Sequence, residues 1–311
     1  MSPTLKAQLQ IHGCVVLWGF TAILGKLITL PADALVWWRM LLVTLMLLCV
    51  PRVWRAARAL PRRMLAVYAG IGVLVALHWL TFYGAIKLAN ASVAVTCIAL
   101  APVFVSLFEP WIAGRALDWR ELLLGVIVVP GVALVVGGIP HDMRLGLAVG
   151  VSSAALVALF GALNKRYIDR GDPLLVTAIE LGSGALFLTL FALLRPHAPD
   201  APGLFAWPGT HNLLLLLVLA FGCTLLPFTL SLIAMRQLSA FASQLAVNLE
   251  PVYAIVLAVL LLGEQRELSA LFYVGVAVIL ASVLLHPWLV RRPGPPQAQT
   301  LAVAENKSVA E

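Results

Sequence analysis

The chain has 311 residues, 62% hydrophobic and 11% charged, with a mean hydropathy of +1.00. An average soluble domain is roughly 25% charged, so this composition excludes a water-soluble globular protein, whose core could not hide so much apolar surface. The net charge of +7 lies in short stretches between apolar runs, which makes it a signal of membrane orientation rather than of nucleic-acid binding.

A helix needs about 20 mostly apolar residues to cross a bilayer core of roughly 30 Å, and sheet edges or bare loops would leave amides unsatisfied in lipid. The expected fold class is therefore all-α integral membrane. In chain order, spans are predicted near 11–29, 34–51, 64–86, 92–112, 119–138, 145–164, 174–194, 211–234, 241–262 and 268–288, ten transmembrane helices in all. Boundaries fall at Leu30-Pro31-Ala32-Asp33, Pro51-Arg52, Gly137-Gly138-Ile139-Pro140, Gly171-Asp172-Pro173, Arg195-Pro196 and Gly263-Glu264. The first span follows Lys6 but runs too long for a signal peptide and lacks a small-residue cleavage site, so it reads as an uncleaved helix. The tail 291–311 is rich in proline and small polar residues and is expected to be a disordered cytoplasmic segment.

With the N-terminus inside, fifteen of the 21 Lys and Arg residues fall on the inner side, five of them between Arg52 and Arg63, and six fall on the outer side. Both termini are thus predicted to be cytoplasmic. Cys14, Cys49, Cys97 and Cys223 all lie within spans, without CxxC or metal-ligand spacing, and read as small packing residues. No metal or other cofactor is called for.

Residues 83–114 lie over 232–263 at a constant offset of 149: Ala85 on Ala234, Lys87 on Arg236, Asn90 on Ser239, Ala91 on Ala240, Pro102-Val103-Phe104 on Pro251-Val252-Tyr253, and Gly114 on Gly263. The first spans match more weakly, Gly25-Lys26-Leu27 falling on Asn164-Lys165-Arg166. Five helices per half force the second half to enter the membrane upside down. The loop charges agree, because the arginine-rich loop after span two has a counterpart at 195–210 that carries only Arg195. Two inverted-topology five-helix repeats, 11–138 and 145–288, are expected, with a substrate site near the midplane between them.

Leu17-Trp18-Gly19-Phe20 followed by Lys26, Trp38-Arg39, His78-Trp79 through Ser92, Ala101-Pro102-Val103-Phe104, and above all Asn248-Leu249-Glu250-Pro251-Val252-Tyr253 with Leu262-Gly263-Glu264, resemble the drug/metabolite transporter superfamily, in particular proteins with two EamA-type domains. The resemblance covers about 11–288 and departs at Gly114-Arg115, where Gly-Glu is the pattern. It implies export or exchange of small polar metabolites, often amino acids, across the bacterial inner membrane.

Ionisable groups inside a span are costly and functional by default, unless they sit near an end and snorkel to the headgroups. Lys26, Lys87, Glu109, Lys165, Arg166 and Arg236 sit near ends and read as anchors. Arg39 lies about 7–8 Å in from its outer end, within snorkelling reach, and Glu180 holds the corresponding place on the other side. His78 and Glu250 are deep. Glu250 precedes Pro251, whose ring removes an amide donor, and shares its span with Gln244 and Asn248; the first half has Ala101 in its place. A carboxyl held away from water can exchange protons at working pH, so Glu250 is a coupling candidate, with His78 beside it. Trp18, Trp79 and Tyr83 can stack on a substrate, and with Arg39, Glu180, Gln244 and Asn248 they complete the expected cavity. Trp37, Trp38 and Trp288 read as interfacial anchors, and Gly146-x-x-x-Gly150 with Ser153 and Ala154 as a close-packing face.

No G-x-x-x-x-G-K-[ST] run is present, which leaves a secondary transporter, ion-coupled or exchanging, with a small molecule and membrane lipids as partners. Oligomeric state is not legible. The competing reading is a membrane-embedded enzyme using Glu250 and His78 as acid and base on a lipid-linked substrate; two polar groups are few for that chemistry, and no G-x-S-x-G elbow accompanies them.

Overall fold

The protein is described from a computed structural model that covers residues 2–114, 119–194, 203–238, 243, 246–247 and 249–289. Gln244, Asn248, Arg115 and the tail 291–311 lie outside the described residues, as does the side chain of Trp288.

All regular structure among the described residues is helical: α1 (Pro3–Leu27), α2 (Ala32–Leu48), α3 (Pro51–Ala59), α4 (Arg62–Leu88), α5 (Ala91–Ile98), α6 (Ala101–Ala113), α7 (Trp119–Gly138), α8 (Arg144–Tyr167), α9 (Pro173–Leu194), α10 (Thr210–Ala220), α11 (Leu226–Met235), α12 (Glu250–Leu257) and α13 (Ala270–Leu289). Six helical segments are long and apolar enough to cross a membrane, or seven if the bent pair α2–α3 counts as one, which makes this a multi-pass membrane protein. Shorter apolar helices occupy Val128–Gly138, Glu250–Leu262 and Ala270–Ser282, within the fifth, ninth and tenth segments read from the sequence.

Local chemistry sets the breaks. Ser2 caps α1 by accepting from Leu5 N, and Asn90 caps α5 by accepting from Val93 N. The fourth segment, expected as one continuous helix, is interrupted at Ala99–Leu100 just ahead of Pro102, because proline fits the first turn of a new helix but not the interior of an old one. The second segment ends before Pro51, and the arginine-rich stretch that follows is the helix α3, bent 87° from α2, rather than a bare loop.

The packing repeats under exchange of the halves. α4 packs along α8 and α9, while α11 packs along α1 and α10 along α2; α5 and α6 rest on α8, while α12 rests on α1; α2 pairs with α9, and α7 with α13. Gly114 and Gly263, 149 residues apart, both end their helices in the left-handed conformation, at φ 69 and φ 70. Lys87 donates to the carbonyl of Ile28 at the end of α1, and its counterpart Arg236 donates to the carbonyls of Ile168 at 3.5 Å and Gly171 at 2.8 Å beyond the end of α8.

These cations do not behave as headgroup anchors. Lys165 Nζ donates to the Met235 carbonyl at 2.6 Å, and Arg166 donates to the Ile112 carbonyl. Each places its charge at the C-terminal end of a neighbouring helix, where unpaired carbonyls and the macrodipole favour it.

Glycine brings the backbones together where polar groups must be sealed. A Cβ at Gly150 would lie 2.7 Å from Cys97 Sγ, and one at Gly146 2.7 Å from Ala89 Cβ, so the Gly146-x-x-x-Gly150 face of α8 is filled by the α4–α5 turn and by α5. A Cβ at Gly184 would come 2.8 Å from the Gly72 carbonyl, bringing α9 against α4. Gly150→Leu is expected to overpack the α8–α5 contact, which costs about 1–3 kcal/mol and lowers the midpoint of thermal unfolding measured by size exclusion in detergent. Gly13→Ala, with no atom within 4 Å of the added carbon, is expected to leave it unchanged.

Candidate functional site

A cavity of about 950 Å³, counting its open mouth, lies between α1, α2, α4, α5, α6, α8, α11 and α12. Its wall includes Trp18, Thr21, Arg39, His78, Trp79, Asn164, Ser243 and Glu250. Of the residues singled out in the sequence, Trp18, Arg39, His78, Trp79 and Glu250 thus share one wall. Tyr83 and Glu180 stand one layer behind it.

Arg39 dominates the site. It does not snorkel: α2 carries it inward, and the residue is 1% exposed. Nε donates to Thr224 Oγ1 at 2.6 Å, Nη1 to the Tyr83 hydroxyl at 2.8 Å and Nη2 to the Cys223 carbonyl at 3.2 Å. Cζ stands 3.8 Å from the centroid of the Trp79 ring, whose face adds a cation–π contact. Cys223 and Thr224 are placed for this by a π-helical turn, Phe221–Leu225, that joins α10 to α11. Pro227 explains the free carbonyl: four residues after Cys223, it has no amide hydrogen to offer. Among the described residues no acid forms an ion pair with Arg39, so the N–H groups left over after these three bonds are available to an anion in the cavity.

Glu250 begins α12, at a depth where the sequence alone suggested mid-helix. Its carboxyl is 7% exposed, on the cavity wall, and no described side chain donates to it. Pro251 removes the amide that would have bonded the carbonyl of Val247, which also lines the cavity. The site therefore offers one guanidinium and one carboxyl from different helices and different halves of the chain.

His78 is oriented by α8. Its Nδ1 lies 3.0 Å from the Ser153 carbonyl and 2.8 Å from Ser153 Oγ, which also reaches the His78 carbonyl at 3.0 Å, so this one serine holds the imidazole whichever ring nitrogen carries the proton. Phe82 and Phe160, with ring centroids 6.2 Å and 5.4 Å from the imidazole, hold the ring in place.

Thr21 Oγ1, Asn164 Oδ1 and Ser243 Oγ are buried on this wall without any hydrogen-bond partner. Buried polar atoms are rarely left unpaired, since each costs about 1–3 kcal/mol, and three around one cavity suit a polar ligand or water. Single hydroxyls in apolar runs carry no sequence signal, so Thr21, Thr224 and Ser243 were not foreseeable. Ser153 and Asn164 stood out only as a packing residue and as a repeat match. Trp37 and Trp38 donate to Thr189 Oγ1 at 2.9 Å and to the Ala206 carbonyl at 3.3 Å, away from the cavity.

Comparison with known proteins supplies the family and the fold. The threonine/homoserine exporter RhtA of Escherichia coli (strain K12) is 26% identical over 245 residues, which is 79% of this chain and 78% of that one. RhtA of Salmonella typhimurium (strain SL1344) is 25% identical over 254 residues, 82% of this chain and 81% of its own. A crystal structure of 18% identity superposes with a TM-score of 0.65 over 93% of this chain and 99% of its own, which shows a shared fold. Residues 5–137 and 144–301 each match the EamA-like transporter family, and the chain, with its two EamA-type domains, belongs to that family.

Proposed function

We propose that the chain is a secondary exporter of small zwitterionic metabolites, amino acids foremost, that works by alternating access around the cavity between its halves. The observation that carries this is the pairing of Arg39 and Glu250 on one wall, with unpartnered Thr21, Asn164 and Ser243 beside them. The guanidinium takes a substrate carboxylate, the Glu250 carboxylate takes the ammonium, and the indoles of Trp18 and Trp79 cover the carbon skeleton. The hydroxyl of threonine or homoserine, the substrates that name the RhtA relatives, finds acceptors and donors among the unpartnered groups.

The halves, 11–138 and 145–288, form ten spans of inverted topology in the bacterial inner membrane, with both termini cytoplasmic. The packing that survives exchange of the halves supports this, as do the paired glycines Gly114 and Gly263 and the inner-side excess of arginine. Coupling follows from competition: Glu250 holds either a proton or the substrate ammonium, so a proton entering displaces substrate leaving. His78, on the same cavity wall, passes protons to and from it.

In proteoliposomes, counterflow of labelled threonine or homoserine is expected for the parent chain. Glu250→Gln and Arg39→Gln each remove one charged contact, about 1.5–3 kcal/mol, so the apparent KM rises roughly 10- to 100-fold. Absence of flux for every member of an amino-acid panel overturns the reading. An imposed pH gradient is also expected to drive accumulation; if flux answers only to substrate on the far side, exchange without protons is the correct description. For orientation, a cysteine placed at Trp207 in a Cys49→Ser background should react with an impermeant maleimide on intact cells, and one at Arg63 only after permeabilisation. The opposite pattern reverses the topology.

A further inference from the structure

Behind the cavity wall, α9 carries a second carboxyl that the proposed transport cycle does not use. Glu180 is 0% exposed, and so is Asn164 of α8, its hydrogen-bond partner. Asn164 Nδ2 donates to Glu180 Oε2 at 3.3 Å, while Glu180 Oε1 and Asn164 Oδ1 have no hydrogen-bond partner among the described residues. Both orphans are acceptors if the acid is ionised, and nothing in the surrounding packing supplies a donor. Close approach of α4 and α9 at Gly72 and Gly184 leaves no space for an added carbon beside the main chain of Glu180.

No counter-charge meets it. Tyr68 is the titratable group on α4 that faces Glu180, and its hydroxyl is spent on the Tyr167 carbonyl at 2.8 Å. On α3, Arg52 is committed to Asp172 at 2.7 Å; on α8, Lys165 is committed to the Met235 carbonyl; on α2, Arg39 is turned to Thr224, Tyr83 and Cys223; and α11 has no ionisable residue. The carboxylate form is therefore unpaired in a dry site, which is the costly arrangement. One proton removes both defects. On Oε1 it turns that oxygen into a donor, and the neighbouring acceptor still lacking one is Asn164 Oδ1, so acid and amide close into a two-bond ring.

We propose that Glu180 and Asn164 form a proton-binding site, separate from Glu250, that communicates with the cavity through the Asn164 side chain. With Glu180 protonated, both ends of the amide are engaged. When the proton leaves, Asn164 Oδ1 loses its donor and turns to whatever donor the cavity holds, a substrate hydroxyl or ammonium included. Proton release thereby strengthens the hold on a donor-bearing substrate. This last step rests on the transport reading above; the proton site itself does not.

The test is pH-difference infrared spectroscopy on the purified full-length chain without substrate. A protonated-carboxyl band is expected at neutral pH that persists in Glu250→Gln, disappears in Glu180→Gln, and shifts to higher frequency in Asn164→Leu, where the acid loses its amide partner. A band unaffected by Glu180→Gln overturns the proposal, as does its appearance only when sodium is withdrawn, which would make the occupant a metal cation. Should Glu180→Gln fail to fold, the shift in Asn164→Leu decides alone, and no shift refutes the acid–amide ring. In counterflow assays, Glu180→Gln made in a Glu250→Gln background is expected to retain exchange while its KM loses the pH dependence that remains in Glu250→Gln alone. Retained pH dependence refutes the coupling step without touching the transporter reading, whereas absence of any counterflow in the parent strikes the transporter reading alone.

Discussion

A guanidinium never gives up its charge at working pH, so burying one obliges the fold to bring acceptors to it. Arg39 sits on a helix that would let it reach the headgroups, yet it is sealed by elements from both halves of the chain: Tyr83 of α4, the ring of Trp79, and Thr224 with Cys223 at the π-helical turn between α10 and α11. That turn exists where Pro227 interrupts the hydrogen-bond ladder. The same proline that weakens the helix frees the carbonyl that the arginine needs. Removing the guanidinium would leave three polar groups facing a dry interior, so the site and the local fold depend on one residue.

The remaining polar groups follow the same economy. Glu264, 1% exposed, accepts from the amides of Ala91 at 3.0 Å and Ser92 at 2.9 Å and from the Ser92 hydroxyl at 2.6 Å, so its charge rests on the N-terminal end of α5. Asn90 extends the contact to Glu267 at 3.0 Å. Cations sit at helix C-termini and an anion at an N-terminus, each where the backbone has unpaired groups to offer. The cavity wall and the Glu180–Asn164 pair depart from this rule, and those are the places assigned to a ligand or a proton.

The two halves share backbone plan but not chemistry. Helix breaks, left-handed glycines and carbonyl-capping cations recur at the same offset, while Glu250 aligns with Ala101. Common backbone geometry lets the same packing recur in the two halves. Unlike side chains let the shared cavity hold a cation at one place and an anion at another, which a molecule bearing both charges requires.

The sequence by itself determined the class of the protein, since hydropathy over long windows and the constant offset of 149 depend only on order along the chain. It also singled out Glu250, His78, Trp18 and Trp79, because a charge or large ring deep in an apolar helix stands out without coordinates. It placed Arg39 in the expected cavity but left it within reach of the headgroups, and it read Lys87, Lys165 and Arg236 as anchors, because depth in a helix says nothing of which neighbouring carbonyls lie within reach. The break at Ala99–Leu100 was hidden by continuous hydrophobicity, and the arginine-rich stretch after Pro51 read as a loop rather than as the helix α3. Only the tertiary structure brought Thr21 of the first helix, Asn164 of the eighth and Ser243 onto one wall, and only it revealed that their polar atoms lack partners. Hydrogen-bond satisfaction is a property of three-dimensional neighbours, and the residues that supply or withhold those bonds are scattered along the chain.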